Sequence, residues 1–335
     1  MSTKPRYAGK LRANRSDAGT ALVLALGLLA VFSLLSVAWV NYMVVENKDS
    51  ELRLSVLRAE QAAAGGVRTA TATIEAALAS GTVATVVSAP IDLEFPVYIK
   101  KIPAQDALVA SDTLRIKTQV TVTEESAKVN LNFAPPKVLC KVLGVTLDTA
   151  RQIRSSLPRI DGSATSPDDV NRRWLSSQDE LVTRGLMKPT AYEAVAPELV
   201  TVYSVADPQN AVGYINVNTA PAPVLEAILD VTPETAVAVA NARPFDSIDA
   251  LAAVAGKGPE AFNLRQEAAA PGALPQELSF APRAWRIVSE SKVERTPVDA
   301  PTQEPQVLGS ARVEAVVALD AQGVSHITYW NQGRS

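Results

Sequence analysis

The chain has 335 residues, room for a membrane segment, a long helix and two soluble modules at roughly 100–200 residues per domain. Lysine and arginine total 32 and aspartate and glutamate 35, so the formal charge of −3 excludes the strongly basic balance of a dedicated nucleic-acid binder. One cysteine and one histidine exclude an intramolecular disulfide and a zinc site built from both residue types. Cys140 lies in the apolar run Lys137-Val138-Leu139-Cys140-Lys141-Val142-Leu143 and reads as a buried structural thiol. His326 lies in the alternating run Val324-Ser325-His326-Ile327-Thr328-Tyr329 and reads as a solvent-facing strand position. No nucleophile elbow, Walker loop or dinucleotide fingerprint occurs, and the composition leans against an enzyme.

The charge is unevenly placed. The first 19 residues hold Lys4, Arg6, Lys10, Arg12 and Arg15 against Asp17 alone, which leaves 27 positive and 34 negative groups, or −7, in the rest. Residues 18–45 carry no charge, and residues 21–40 read ALVLALGLLAVFSLLSVAWV. About 20 such residues cross a bilayer core as a helix, and the cations before them are expected to stay cytoplasmic, placing the body on the far side. Two processing schemes compete. A secretory signal would be cut after Ser36-Val37-Ala38, leaving Trp39 first; the alternative cut after Gly19 retains the apolar helix. Continuity favours the second, because Leu52, Val56, Ala59, Ala63, Val67, Ala70, Ile74 and Ala77 continue in steps of three or four with no turn signal. The pattern predicts one helix of about 55–60 residues, with Gly65-Gly66 marking a bend or a close approach to a sheet.

After Ser80-Gly81 the texture becomes β-branched. Strands are predicted over residues 83–87, 93–100 and 114–122, then again over 284–290, 311–317 and 324–330, with Ala321-Gln322-Gly323 linking the last two. Three strands before and three after a helical middle imply an α+β fold: one antiparallel sheet interrupted by an insertion, with the long helix on one face. The segments are 1–19 as leader, 20–80 as helix, 81–128 with 283–335 as sheet, and 129–282 as an inserted all-α domain.

That insertion contains an internal repeat, with copies near 129–200 and 215–282. Val129-Asn130-Leu131-Asn132-Phe133-Ala134-Pro135 returns 86 residues on as Ile215-Asn216-Val217-Asn218-Thr219-Ala220-Pro221, and eleven of 22 positions are identical at that offset. Asn132 and Asn218, or Thr219, are expected to cap helices that Pro135 and Pro221 open. Ser177 with Glu180 reads as a capping box, Thr146 as a further cap, and Ser247 as the start of a second helix in the later copy. Each copy is a helix-hairpin-helix-like unit. In DNA-binding versions a glycine-flanked turn offers backbone N–H groups to a phosphate. Here the turns are Gly144-Val145-Thr146 and Asp230-Val231-Thr232, and Glu226, Asp230 and Glu234 oppose a phosphate backbone, so protein contact or packing is the stronger reading.

The leader end Asp17-Ala18-Gly19 followed by Thr20-Ala21-Leu22-Val23-Leu24 resembles the prepilin-peptidase site of type IV pilin-like proteins. With the two Asn-x-Asn-x-Ala-Pro units (Asn130, Asn132, Ala134, Pro135; Asn216, Asn218, Ala220, Pro221), the chain resembles the minor pseudopilin K family of type II secretion. That resemblance implies a pilin-like fold and a non-enzymatic subunit of a periplasmic pseudopilus. Such a subunit caps the tip with other minor pseudopilins above the major pseudopilin, and initiates assembly. It further implies cleavage by the prepilin peptidase between Gly19 and Thr20, methylation of the Thr20 amine, an inner-membrane location, and contact with the secretion platform and with secreted proteins. Most pilins carry glutamate at the fifth mature position to pair with the amine of the subunit above; Leu24 stands here, which suits a subunit with nothing above it. Some family members bind calcium in the helical domain. Asp161, Asp168, Asp169, Asp179 and Glu180 are clustered in sequence, but no calcium-loop spacing is present, and an acidic solvated loop explains them equally; no other cofactor is expected. The alternatives are an adhesion or DNA-uptake minor pilin, and a secreted hydrolase with a cleaved signal peptide.

Overall fold

The computed structural model describes residues 15–80, 91–96, 113–158, 173–193, 198–203, 213–262, 276–296, 304–320 and 324–333. The chain divides into two units, Met1–Ser55 and Val56–Ser335. Helix α1, Arg15–Ser80, runs for 66 residues, longer than its apolar pattern predicts because helical backbone begins before the apolar run. In the first unit its large apolar side chains face outward, among them Leu24, Leu34 and Trp39. Among the described residues one helix, Leu22–Ser80, is long and apolar enough to cross a membrane, with mean hydropathy 2.5 in its most apolar window.

In the second unit the apolar stripe of α1 becomes a core face. Ala59, Ala63, Val67, Ala70, Ile74 and Ala77 are buried, whereas Leu52, assigned to the same stripe, is exposed. They pack on an antiparallel sheet in the order β1-β2-β7-β8-β9. Its strands are β1 (Ile91–Pro96), β2 (Thr113–Glu124), β7 (Ala284–Thr296), β8 (Gln306–Leu319) and β9 (Ser325–Gly333). Strict alternation explains the layer: Val120, Val122, Ile287, Val313, Ala315 and Val317 point into the core shared with α1. The predicted strand at 83–87 and the Ala321-Gln322-Gly323 link lie outside the described residues. β2 and β7 are neighbours, Thr121 opposite Val288, so the segment between them leaves and re-enters the sheet at one place.

That segment is not purely helical, which corrects the all-α expectation. The first copy runs β3 (Val129–Asn130), α2 (Pro136–Leu143), α3 (Leu147–Ser155), α4 (Glu180–Thr183), α5 (Pro189–Tyr192) and β4 (Val200–Thr201). The second runs β5 (Gly213–Asn216), α6 (Ala222–Leu229), α7 (Pro233–Asn241), α8 (Ile248–Ala255), a 3-10 turn (Pro259–Phe262) and β6 (Gln276–Ser279). Short parallel ladders close both copies, Val129 opposite Val200 and Ile215 opposite Leu278. The repeat residues next to the strands are too apolar for a solvated lead-in, and pairing satisfies their backbone while they are buried. One apolar cluster, including Leu131, Leu139, Ile153, Val217, Leu225 and Leu251, joins the two copies.

Gly65 and Gly66 interrupt the propensity of α1 without interrupting the helix. A Cβ on Gly66 would lie 2.8 Å from Val120 Cγ2 and 3.1 Å from Thr118 Cγ2 and would also meet Ser289 Oγ, whereas a Cβ on Gly65 would meet nothing within 4 Å. Gly66 is therefore the close approach, against a stiff β-branched partner. Gly65→Ala is expected to raise stability by up to about 1 kcal/mol through helix propensity. Gly66→Ala gains the same propensity but loses more to overpacking, for a net loss of about 1 kcal/mol. Denaturant midpoints of the two variants in detergent should move in opposite directions.

Candidate functional site

Gly19 and Thr20 lie on the helical backbone of α1; leader residues 1–14 lie outside the described residues. Leu24 is exposed on the apolar part of the same helix. Its side chain presents no charge to that surface.

The repeat asparagines do not cap helices. Pro135 and Pro221 hold the cap positions in extended conformation with no side-chain hydrogen bond, and Pro136 and Ala222 open α2 and α6. Asn132 and Asn218 instead act as latches inside their copies. Asn132 Oδ1 accepts from Leu175 N at 2.9 Å, while its Nδ2 donates to Leu175 O at 3.0 Å and Val202 O at 3.4 Å. Asn218 repeats this on Phe245 N at 2.7 Å, Phe245 O at 2.8 Å and Phe280 O at 2.8 Å. A side-chain amide thus pairs with both polar groups of one distant residue, as a strand would. Asn130 and Asn216 set up the latch by accepting from the backbone N–H of Asn132 (2.9 Å) and Asn218 (3.1 Å). Ala134 and Ala220 are fully buried beside them. Arg154 donates to Asn132 O at 2.8 Å, and Arg243 donates to Ala220 O.

Sequence reasoning missed the junction that joins both copies to the sheet. Glu124, the last residue of β2, and Glu125 and Ser126 just after it are buried. Glu124 Oε1 accepts from Asn216 Nδ2 at 2.8 Å and from Ser126 Oγ at 2.7 Å. Glu125 serves the other copy: Lys128 Nζ is 2.7 Å away, Thr201 Oγ1 donates to it, and Arg286 Nε lies at 3.6 Å. Ser126 O accepts from Asn216 N at 2.7 Å, and Ser126 Oγ from Arg283 N at 3.1 Å. The available signal was two carboxylates breaking the alternation of β2 just before the repeat.

The helical turns are equivalent in backbone and different in charge. Gly144 (φ 63°) and Asp230 (φ 50°) both take the left-handed position after α2 and α6, and Thr146 and Thr232 cap the next helices as expected for Thr146. Lys141 of the first copy reaches Asp230 Oδ1 at 2.7 Å, and Lys257 Nζ donates to Leu229 O at 2.9 Å and Asp230 O at 2.6 Å. The hydrogen bond and charge of Lys141, aided by Lys257 and Lys137 and opposed by slight burial, hold the Asp230 carboxyl below the ordinary aspartate range. Cys140 is half-buried and its thiol donates to Val145 O at 2.9 Å in the first turn. His326 is exposed, with Nε2 2.8 Å from Asp320 Oδ2.

Asp161, Asp168 and Asp169 lie outside the described residues. Asp179 accepts from Tyr192 OH at 2.9 Å; burial, then the Asp179 hydrogen bond and charge, push that phenol up to about 12. The capping box read from Ser177 and Glu180 does not form: Asp179 is the N-cap of α4 with no side-chain cap hydrogen bond, and Glu180 instead accepts from Ser176 N and Oγ. Burial raises its carboxyl, but the Ser176 and Arg184 contacts outweigh this and hold it low. Among the described residues no three His, Cys, Asp or Glu side chains are placed to hold a metal ion. Asp179 and Tyr192 also line a cleft of about 480 Å³ with Lys128, Glu198, Tyr203, Arg286, Glu314 and Tyr329.

Residues 215–270, most of the second copy, match the family model described as type II secretion system (T2SS), protein K. The recognition read from the repeat therefore holds on that segment. No curated protein matches the chain. A solved structure described as the GspK-GspI-GspJ complex from the enterotoxigenic Escherichia coli type 2 secretion system contains a chain 14% identical, with TM-score 0.40, over 66% of this chain and 81% of that one.

Removing one latch should affect one copy. Asn218→Ala strands a buried N–H and two carbonyls, an expected loss of about 3 kcal/mol, and hydrogen exchange should quicken in α8 while α3 stays protected. Asn132→Ala should do the reverse. The lowered Asp230 value means its ion pair stabilises the fold above the ordinary aspartate range and is lost as pH falls through the lower folded value. Because Asp230 is 73% exposed, screening keeps the contribution near about 0.5 kcal/mol. Lys141→Met should remove that fraction of the acid dependence below about pH 4, read from urea midpoints against pH.

Proposed function

Starting from a chain whose second repeat copy matches protein K of type II secretion, we propose that it is a minor pseudopilin of such a system, a structural subunit and not an enzyme. The match at residues 215–270 carries the reading, because it falls on the copy that holds Asn216, Asn218, Ala220 and Pro221. The apolar helix supports a single-pass inner-membrane anchor with the body in the periplasm. The leader is cut between Gly19 and Thr20, the Thr20 amine is methylated, and Leu24 fits a subunit at the pseudopilus tip, where no neighbour above offers an amine to neutralise.

On this reading residues 129–282 form an insertion into a pilin-like sheet, and α2–α3 and α6–α7 are helix-hairpin-helix-like units adapted to packing. The partners are other minor pseudopilins, with which the chain initiates assembly, the major pseudopilin, the prepilin peptidase and the inner-membrane platform, in support of the export of folded proteins. No cofactor is required. The DNA-uptake alternative is disfavoured by Asp230, which places a carboxylate at the turn a phosphate would approach and engages Lys141.

Mass spectrometry of the protein from membranes should find N-methylated Thr20 as the first residue. A start at Trp39 would overturn the pilin class. Deleting the chain should abolish secretion and impair pseudopilus formation; normal levels of both would overturn the assembly role.

A further inference from the structure

β9 is the last strand of the sheet, and among the described residues no strand pairs with its outer edge. Its nine residues, SHITYWNQG, include no proline, lysine, arginine, aspartate or glutamate. Those are the residues that ordinarily blunt an edge against pairing. A bulge at Thr328 interrupts the edge, and the stretches on either side of it offer backbone donors and acceptors to an added strand.

The two faces of β9 differ. Trp330 stands opposite Ala315 and Ile327 opposite Val317, and both partners are buried in the core shared with α1. Ser325, on the same side, donates from Oγ to Glu75 of α1. The helix nevertheless leaves Ile327 53% and Trp330 41% exposed, an apolar strip along the edge. On the opposite face Tyr329, opposite Val316, lies with its ring 4.9 Å from that of Tyr203 at the mouth of the cleft. The cations there are engaged, Lys128 by Glu125 and Arg286 by Glu125 and Glu314. With Glu314 occupied by Arg286 and Arg312, the cleft turns the carboxylates of Asp179 and Glu198 toward an incoming group, with no unengaged cation among its described lining residues.

We propose that β9 is a docking edge for an extended segment of another polypeptide, taken up as a sixth strand. The register shift at Thr328 brings Ile327 and Trp330 onto one face, so apolar side chains of the added strand cover them there, and a lysine or arginine on the other face reaches Asp179 and Glu198. The proposal goes beyond the pseudopilin reading and does not need it, so a failed secretion assay and a failed docking assay are separate results.

The test uses the full chain in detergent and a capped nine-residue peptide alternating valine with lysine and threonine. At millimolar peptide, hydrogen exchange across residues 325–333 should slow at least tenfold. A version with proline in place of alternate residues should give no protection, and glutamate in place of lysine should weaken it. The double variant Ile327→Lys/Trp330→Lys, altered only at exposed positions, should lose the protection while β2 and β7 exchange as before. Unchanged exchange in β9, or equal protection by the lysine and glutamate peptides, would overturn the proposal. So would sedimentation showing a dimer with β9 already protected, because the occupant would then be a second copy.

Discussion

Two adjacent buried carboxylates govern how the helical layer is held to the sheet. Successive residues at the end of β2 turn their side chains to different copies, Glu124 to Asn216 and Glu125 to Lys128 and Thr201. A buried carboxylate without partners is among the most expensive groups a fold can contain. If either copy swung away, one of these carboxylates would lose its donors while still enclosed. The junction thus selects one arrangement of each copy relative to the strand end, a role in specificity more than in net stability. Arg283 and Arg286, on the returning chain, complete the same knot.

Within the layer the two copies share a latch and differ in what surrounds it. Asn132 and Asn218 grip Leu175 and Phe245 in the same geometry, yet the loops they close have unequal lengths. At the turns, the left-handed position is filled by Gly144 in one copy and by Asp230 in the other. An aspartate accepts that conformation more readily than most side chains, and here its carboxylate joins the copies through Lys141. The feature that weakens a phosphate contact is the one that fastens the pair.

Much of the architecture was legible in the chain. The small-residue stripe of α1, the alternation of β2, β7 and β8, and the 86-residue offset each depend on local periodicity, and the structure follows them. The asparagine roles were not legible, because Asn-x-Asn-x-Ala-Pro is locally a good helix-capping sequence. Its actual partners lie 43 and 27 residues away, at spacings that no period encodes. Nothing in the local sequence around Glu124 and Glu125 names their partners either, because those lie up to 92 residues away. Leu52 departs for a different reason: helical spacing says which residues share a face, but not how far along the helix that face is buried.

The adjacency of β2 and β7 carries a consequence for how the chain reaches its native state. Thr121 and Val288 pair across 167 residues, so the central ladder of the sheet is among the most non-local contacts in the molecule. Chain-closure entropy for such a span is large, although it grows only logarithmically with length. Were the helical layer to fold first from its short-range contacts, it would bring residues 125 and 284 together and convert that long closure into a short one. In the native structure Glu125 N donates to Ala284 O at 2.8 Å at that place. In that order of events the inserted layer would act as a folding clamp for the sheet that hosts it, and damage to a latch would slow the maturation of strands it never touches.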